Sequence, residues 1–218
     1  MIVAVCGMER EARIAAGADV VIALGSPSRL RERLAHALAD AQGVISIGIA
    51  GALSPKLKSG DVVVADSIFA QGKRLTADST WSARLIERLP GAVLAPIAGA
   101  DQLVMTAAEK ARIFAATGAY TVDMESHIAA EIAQRQGLPF AGLRVVADAA
   151  TSALPACASV ALTPDGKVSL TAALGSVLKQ PGQIPQALRM ASETNAAFAA
   201  LLRCRALLGD RLLGPDLL

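Results

Sequence analysis

The sequence predicts an α/β fold in which helices flank a mostly parallel or mixed sheet, and three observations carry that expectation. Short apolar runs alternate with longer amphipathic ones along the whole chain, the pattern of strands interleaved with helices. The runs 2–6 and 44–49 are almost wholly apolar, as strands covered on both faces are. The segment 28–41 places Leu30, Leu34, Ala37, Leu38 and Ala41 on one face and Arg29, Arg31, Glu32, Arg33 and Asp40 elsewhere, which is the stripe of a surface helix.

The same reasoning, taken in order, predicts strands near 2–6, 19–24, 44–49, 61–68, 92–97, 119–122 and 140–147. Helices are expected near 28–41, 78–89, 106–117, 124–136, 167–179 and 183–208, the first opened by Ser28 after Pro27 as a cap. The stretch Lys179-Gln-Pro-Gly-Gln-Ile-Pro185 reads as a corner between two helices. No internal repeat or low-complexity linker breaks the pattern, and 218 residues suffice for one domain, expected to span 1–218.

Composition narrows the function. Apolar residues make up 53% and charged ones 18% of the chain, which excludes a disordered polymer. The net charge of +2, without a basic stripe interleaved with aromatics, argues against nucleic acid as a partner. Cys6, Cys157 and Cys204 are odd in number and far apart, so neither a disulfide framework nor a Cys-x-x-Cys metal pair is expected. Two histidines make a metal site unexpected too. A reducing compartment, the cytoplasm, is the expected location. The N-terminus meets acid at Glu9 and has no signal-like region, and no apolar run reaches the roughly 20 residues of a membrane span.

Four stretches carry candidate chemistry. In Val3–Ala12 a strand ends at Gly7 and the acids Glu9 and Glu11 follow; in an open α/β sheet ligands bind where strands end, although an acidic helix start reads the same way. In Ile22–Leu30 a strand runs into Gly25-Ser-Pro-Ser28 and then a helix, which is either an anion site or a turn with a cap. In Ile45–Leu53, Gly48 and Gly51 permit close approach of backbone to a ligand, without a Gly-x-Gly-x-x-Gly or phosphate-loop pattern. In Phe140–Ala150 an apolar strand ends at Asp148, whose carboxyl, flanked by Val and Ala, should lose solvation and hold its proton more tightly, unless it merely caps the next turn. A proton held near neutral pH suits a general acid. Between these stretches lies Asp123-Met-Glu125, acid–Met–acid at a strand-to-helix junction. Asp123 can cap the helix and Glu125 suits its first turn.

Taken together, Gly-Met-Glu-x-Glu, Gly-Ser-Pro-Ser, Gly-Ile-Ala-Gly, Gly-Asp-Val-Val-Val, Asp-Met-Glu-Ser and Leu-Arg-Val-Val-Ala-Asp occur in an order that resembles the purine nucleoside phosphorylase and nucleosidase superfamily. The resemblance covers about 2–150. The tail, Ser159–Val168 and Gly175–Pro185, resembles the hopanoid-associated phosphorylases, a branch associated with cleavage of adenosylhopane. The resemblance implies a phosphorylase/hydrolase-like three-layer fold with a mixed central sheet, no cofactor, and a homo-oligomer.

It also implies roles. Asp148 matches the acid that serves purine N7. Glu125 matches the acid that holds the ribose hydroxyls, with Met124 as the soft floor under the sugar. Glu11 matches the acid on the water side in the nucleosidases. Gly25 and Ser28 match the phosphate site of the phosphorylases. Asp101 and Leu103 lie where the nucleosidases clamp the base, and Gly51 lies beside it. The chain departs from the pattern at Ile49, where the nucleosidases carry Ser, and at Ala147, where Ser is usual before the catalytic aspartate. The function expected is cleavage of the N-glycosidic bond of a 5′-modified adenine nucleoside, adenosylhopane foremost, with phosphate or water as acceptor. The alternatives are a methylthioadenosine/adenosylhomocysteine nucleosidase and a nucleoside-binding protein without turnover. Retention of Asp148, Glu125 and Glu11 together argues against the last. Apolar Leu188, Phe198, Leu201, Leu202, Leu207 and Leu208, alternating with Arg189, Arg203, Arg205 and Arg211, raise two further readings of the last helix: a weak peripheral membrane contact, or a core helix with solvated arginines.

Overall fold

The computed structural model describes residues 1–17, 19–24, 27–161, 163, 167 and 169–215, and only the backbone of 21, 27, 28, 35, 161 and 170. The elements are β1 (Ile2–Cys6), α1 (Glu9–Ala15), β2 (Val20–Leu24), α2 (Pro27–Ala37), β3 (Gly43–Ala52), β4 (Val62–Ala70), β5 (Lys73–Thr76), α3 (Ser79–Arg88), β6 (Val93–Gly99), α4 (Ala107–Thr117), β7 (Thr121–Asp123), α5 (Ser126–Arg135), β8 (Phe140–Asp148), α6 (Ala156–Ala161), α7 (Leu170–Lys179) and α8 (Ile184–Leu208). A single turn of 3₁₀ helix, Pro181–Gln183, makes the expected corner between α7 and α8.

All eight strands form one mixed sheet. β1 lies parallel to β2 and β3, and β3 lies parallel to β8. β8 continues to β4 antiparallel, β4 to β6 parallel, and β6 to β7 parallel. β7 then returns to the far end of β3, pairing Gly51 with Val122 and Ala52 with Thr121. The pairings of β3, β8, β4, β6 and β7 therefore close on themselves, with β1 and β2 extending from one side and β5 from β4. Closure leaves edges, among the described residues, only at β2 and β5 and gathers the ends of β3, β7 and β8 around one spot.

Alternation along the strands builds the layers. Ile2, Ala4, Ile45, Ile47, Leu143 and Val145 face one side, beneath Trp81 and Leu85 of α3 and Phe198, Leu201 and Leu208 of α8. Val3, Val5, Val44 and Val146 face the other, beneath Leu30 and Leu34 of α2 and Ile128, Ala129 and Ala133 of α5. Every residue of β1 and of β8 is buried; β1 is wholly apolar, whereas β8 carries Arg144 and Asp148 inside.

Several expectations change. α2 ends at Ala37, short of 41, and β7 begins at Thr121, so Ala119 and Tyr120 lie outside it. β5 was not expected: its Lys73-Arg-Leu-Thr76 is mostly exposed and too charged to read as a strand, and it exists because β4 offers it a ladder. α6 was likewise not predicted as a helix; α1, for which an acidic helix start at Glu9 and Glu11 was one of two readings, is seven residues long and packs Glu11, Ala12 and Ala15 inward. In α8 the face proposed for a membrane is divided: Phe198, Leu201 and Leu208 are core, whereas Leu188, Leu202 and Leu207 are exposed. Arg189 pairs with Glu193, and Arg205 donates to the carbonyls of Ala15, Ala16 and Gly209. The second half of α8, from Ala197 to Leu208, thus packs over the sheet, and its first half buries no residue. Among the described residues no helix is long and apolar enough to cross a membrane.

Candidate active site

The site lies where strands end. Asp148 closes β8, Met124 sits between β7 and α5, and Gly51 lies near the end of β3; the register shift at Ala50/Gly51 brings Gly51 opposite Asp148. These three residues, with Leu103 from the loop after β6, line one cavity. A Cβ on Gly51 would stand 3.4 Å from a carboxylate oxygen of Asp148, so backbone and acid share the cavity wall closely.

Asp148 is 8% exposed. Its Oδ2 accepts a hydrogen bond from the Nζ of Lys110 on α4, and the same ammonium donates to the carbonyls of Ala149 and Ser152, each at 2.9 Å. Burial pushes the Asp148 carboxyl above its ordinary value, Lys110 offsets part of that rise, and Glu193 adds to it. The desolvation expected from the flanking apolar residues is therefore found.

Acid–Met–acid acquires two distinct carboxylates. Asp123 is the cap: its Oδ1 accepts the amides of Glu125 (2.9 Å) and Ser126 (2.7 Å), and its Oδ2 accepts Nε of Arg144 at 2.8 Å and the hydroxyl of Ser126. Burial alone would raise its proton affinity, but Arg144 and Ser126 outweigh it and hold Asp123 below the usual carboxylate range. Arg144 rises from the middle of β8, 1% exposed, and also donates to the hydroxyls of Ser46 and Ser126 and the carbonyl of Leu143.

Glu125 has no such retinue. Burial, with Asp123 and Glu11 close by, pushes its carboxyl up to about 8 against an opposing pull from Arg144. Glu11, third residue of α1, is also raised by burial. Its Oε2 accepts the amides of Gly7 (2.9 Å) and Met8 (2.8 Å), and its Oε1 accepts the amide of Ile49 at 2.8 Å. The glycines of these motifs have a packing reason. A Cβ on Gly7 would stand 2.3 Å from Oε1 of Glu125, and one on Gly48 would stand 2.3 Å from Oε1 of Glu11. Both carboxylates press on backbone, just past β1 and in the middle of β3, that only glycine leaves bare.

The structure thus gathers Asp148, Met124, Gly51 and Leu103 on one cavity and sets Glu125 and Glu11 against each other over β1 and β3. Asp101 stands apart: its side chain is 63% exposed and pairs with Nε2 of His127 at 3.1 Å. Gly25 lies outside the described residues; Ser28 is placed in the first turn of α2, its side chain outside them. Arg144 and Lys110 are the site residues to which the sequence assigned no role, and Asp123 was assigned only the cap that it makes. Arg144 had a signal, a charge inside an apolar strand that needs a buried partner. Lys110 had none. Among the described residues no group of three or more His, Cys, Asp or Glu could hold a metal ion.

A mixed sheet between helical layers, with carboxylates gathered near its strand ends, is the frame of an enzyme of the nucleoside phosphorylase kind. Residues 2–165 match the model of the Phosphorylase superfamily, and the chain belongs to it. Among solved structures, the chain is similar to the S-adenosylhomocysteine nucleosidase of Streptococcus pyogenes in complex with 5-methylthiotubericidin (19% identity, 91% of this chain and 95% of that one, TM-score 0.63). It is similar to the 5′-methylthioadenosine/S-adenosylhomocysteine nucleosidase of S. pneumoniae with a transition-state inhibitor (20%, 92% and 99%, TM-score 0.61). Futalosine hydrolase of Helicobacter pylori matches as well (17%, 93% and 96%, TM-score 0.62). At these identities the likeness is one of fold. A comparison with curated proteins finds no match.

Proposed function

We propose that the protein cleaves the N-glycosidic bond of an adenine nucleoside modified at the 5′ position and releases adenine. The observation that carries the reading is Asp148: a buried carboxyl with raised proton affinity, on the wall of a cavity it shares with Met124, Gly51 and Leu103. Fold neighbours that act on methylthioadenosine, adenosylhomocysteine and futalosine are consistent with it.

The chemistry follows from charge. As the C–N bond breaks, the sugar becomes cationic and the base gathers electrons. Asp148 offers a proton or a strong hydrogen bond at N7, which helps the base leave; such help contributes roughly 10²–10⁴ in rate. Met124 gives the carbon face of the ribose an apolar, polarisable floor. Glu125 accepts the 2′- and 3′-hydroxyls and, once ionised, faces the developing cation with negative charge. Leu103 covers the base. Glu11, held rigid by three backbone amides, is a buried carboxylate of raised basicity suited to take a proton from the attacking nucleophile, which makes water the acceptor.

A second acceptor keeps one observation in its favour. Gly25 and Ser28 follow the end of β2, and Ser28 falls in the first turn of α2, where a helix N-terminus favours an anion; there phosphate would replace water. Adenosylhopane is the substrate this reading names first, on the resemblance of Ser159–Val168 and Gly175–Pro185 and the apolar Ile49. Under the same reading the protein works in the cytoplasm as a homo-oligomer of single-domain chains. The test is product analysis. Purified protein is incubated with adenosylhopane, methylthioadenosine and adenosylhomocysteine, with and without phosphate. Free adenine plus a reducing sugar means hydrolysis, and a sugar 1-phosphate means phosphorolysis. No adenine from any of the three would overturn the reading.

A further inference from the structure

We propose that Lys110 is the positioning residue of the leaving-group acid: its ammonium holds Oδ2 of Asp148, leaves Oδ1 to the base, and stabilises the carboxylate that remains once the proton has moved. The inference rests on the reading of Asp148 just given, and names what governs that acid.

Lys110 is an anomaly of placement. α4 runs from Ala107 to Thr117, and its buried residue is a lysine, 0% exposed, while its neighbours Glu109 and Ala111 are not buried. Burying an ammonium costs several kcal/mol unless every donor is met. Here all three are met, by Asp148, the Ala149 carbonyl and the Ser152 carbonyl. Two of the acceptors belong to the turn directly after β8, so the lysine fixes both the carboxylate and the chain that leads away from it. Oδ1 has no hydrogen-bond partner among the described residues, and the cavity lies on the side of the acid that faces Gly51 and Met124. The arrangement also accounts for Ala147. A serine there could have donated to the aspartate; this chain has a methyl group and supplies the donor from α4, 38 residues away in sequence.

The electrostatics fit a proton donor that must also let go. Burial alone would lock the proton on Asp148, and Glu193 from α8 pushes in the same direction; Lys110 opposes both. In the step, the O–H bond of Asp148 breaks, its electron pair stays on the carboxylate, and the proton forms the N7–H bond of departing adenine. Lys110 remains an ammonium throughout, and solvent restores the proton to Asp148 after product leaves.

Lys110→Met removes the charge and keeps the length of the side chain; Lys110→Arg keeps a cation. Two substrates are compared: the adenine nucleoside the wild type cleaves, and 4-nitrophenyl riboside, whose leaving group needs no proton. The expected result for Lys110→Met is a fall in kcat of about tenfold or more on the adenine nucleoside with little change in KM, and a far smaller fall on the nitrophenyl riboside. Lys110→Arg should recover part of the loss. Equal losses on both substrates would overturn the proposal, since they would mean that Lys110 only pins the turn after β8. An independent readout is carbon-13 NMR of the Asp148 carboxyl, assigned by its loss in Asp148→Asn. Its titration should move to higher pH in Lys110→Met, and an unmoved titration also overturns the proposal. If the wild type cleaves neither substrate, the glycosidic reading falls, and the titration alone still decides whether Lys110 governs Asp148. If Lys110→Met fails to fold, the arginine variant carries both measurements: a cation of different shape should shift the titration and slow adenine release, and no change in either overturns the proposal.

Discussion

Two buried ion pairs have their carboxylates at the ends of β7 and β8, and they behave in opposite ways. Arg144 and Asp123 are each 1% exposed at the side chain, and Asp123 is held below the usual carboxylate range. Lys110 is as deeply buried as Arg144, yet Asp148 beside it is raised above its ordinary value. Charge partnership alone therefore does not set the outcome. The balance of burial against the partner's charge and the hydrogen bonds does, since Glu11 with three amide donors is also raised by its burial. Beside Asp123 the Arg144 charge comes first, and four donors add to it, two amides, one hydroxyl and one guanidinium N–H; together they outweigh its desolvation. Asp148 takes one donor, from Lys110, on a cavity wall to which Asp123 also contributes. The first pair is an anchor at the junction of β7, β8 and α5. The second is a poised acid.

The largest expected effect breaks the anchor. Arg144→Met leaves Asp123 buried without its cation, which should cost about 3–5 kcal/mol of stability. Urea or thermal denaturation reads it, and a loss under about 1 kcal/mol would mean that Ser126 and the amides suffice by themselves. Asp148→Asn is the counterpart. Turnover should fall roughly 100-fold or more, about 2.7 kcal/mol in barrier, while the loss of stability stays below that of Arg144→Met because the amide oxygen still accepts from Lys110. If the two variants lose equal stability and Asp148→Asn keeps its turnover, both pairs are anchors.

Glu125 sharpens the comparison, because it neighbours Asp123 without sharing its donors. Its carboxyl is pushed up to about 8 from an ordinary 4.5, so between those values the folded state holds a proton that the unfolded chain releases. Stability must then fall as pH rises through that window, by at most about 1.4 kcal/mol per pH unit, and level off above it. Glu125→Gln should flatten this slope, with the larger gain over wild type on the alkaline side; denaturant midpoints at about pH 5 and about pH 9 measure it. A wild-type curve flat across the window would mean that Glu125 is ionised at neutral pH. The smallest effect is expected of an exposed pair. Glu9→Gln breaks the 2.9 Å contact with Arg13 on α1 and should cost less than about 0.5 kcal/mol, since water screens both charges. A larger loss would show that exposed pairs here contribute as buried ones do.

Sequence by itself determined the layers. Strands such as β1 and the first part of β3, covered on both faces, read as nearly continuous apolar runs, so they were legible, as was the alternation that feeds two cores. It also determined the acid at the end of β8, since a carboxylate closing an apolar strand has little water to solvate it, and the capping role of Asp123, which is a local hydrogen-bond pattern. Tertiary structure alone decided the closure of the sheet from β7 back to β3, the short edge strand β5, and the core placement of Phe198, Leu201 and Leu208, because each depends on a partner far along the chain. It alone separated Asp101 from the cavity and set it on His127. Above all it decided which charges are partners. Periodicity shows which face of a helix is apolar, but a lysine among Glu109 and Arg112 looks solvated in one dimension. Only the packing of α4 against the end of β8 turns Lys110 inward to Asp148, because the cost of burying an ammonium is set by acceptors that the sequence places 38 or more residues away.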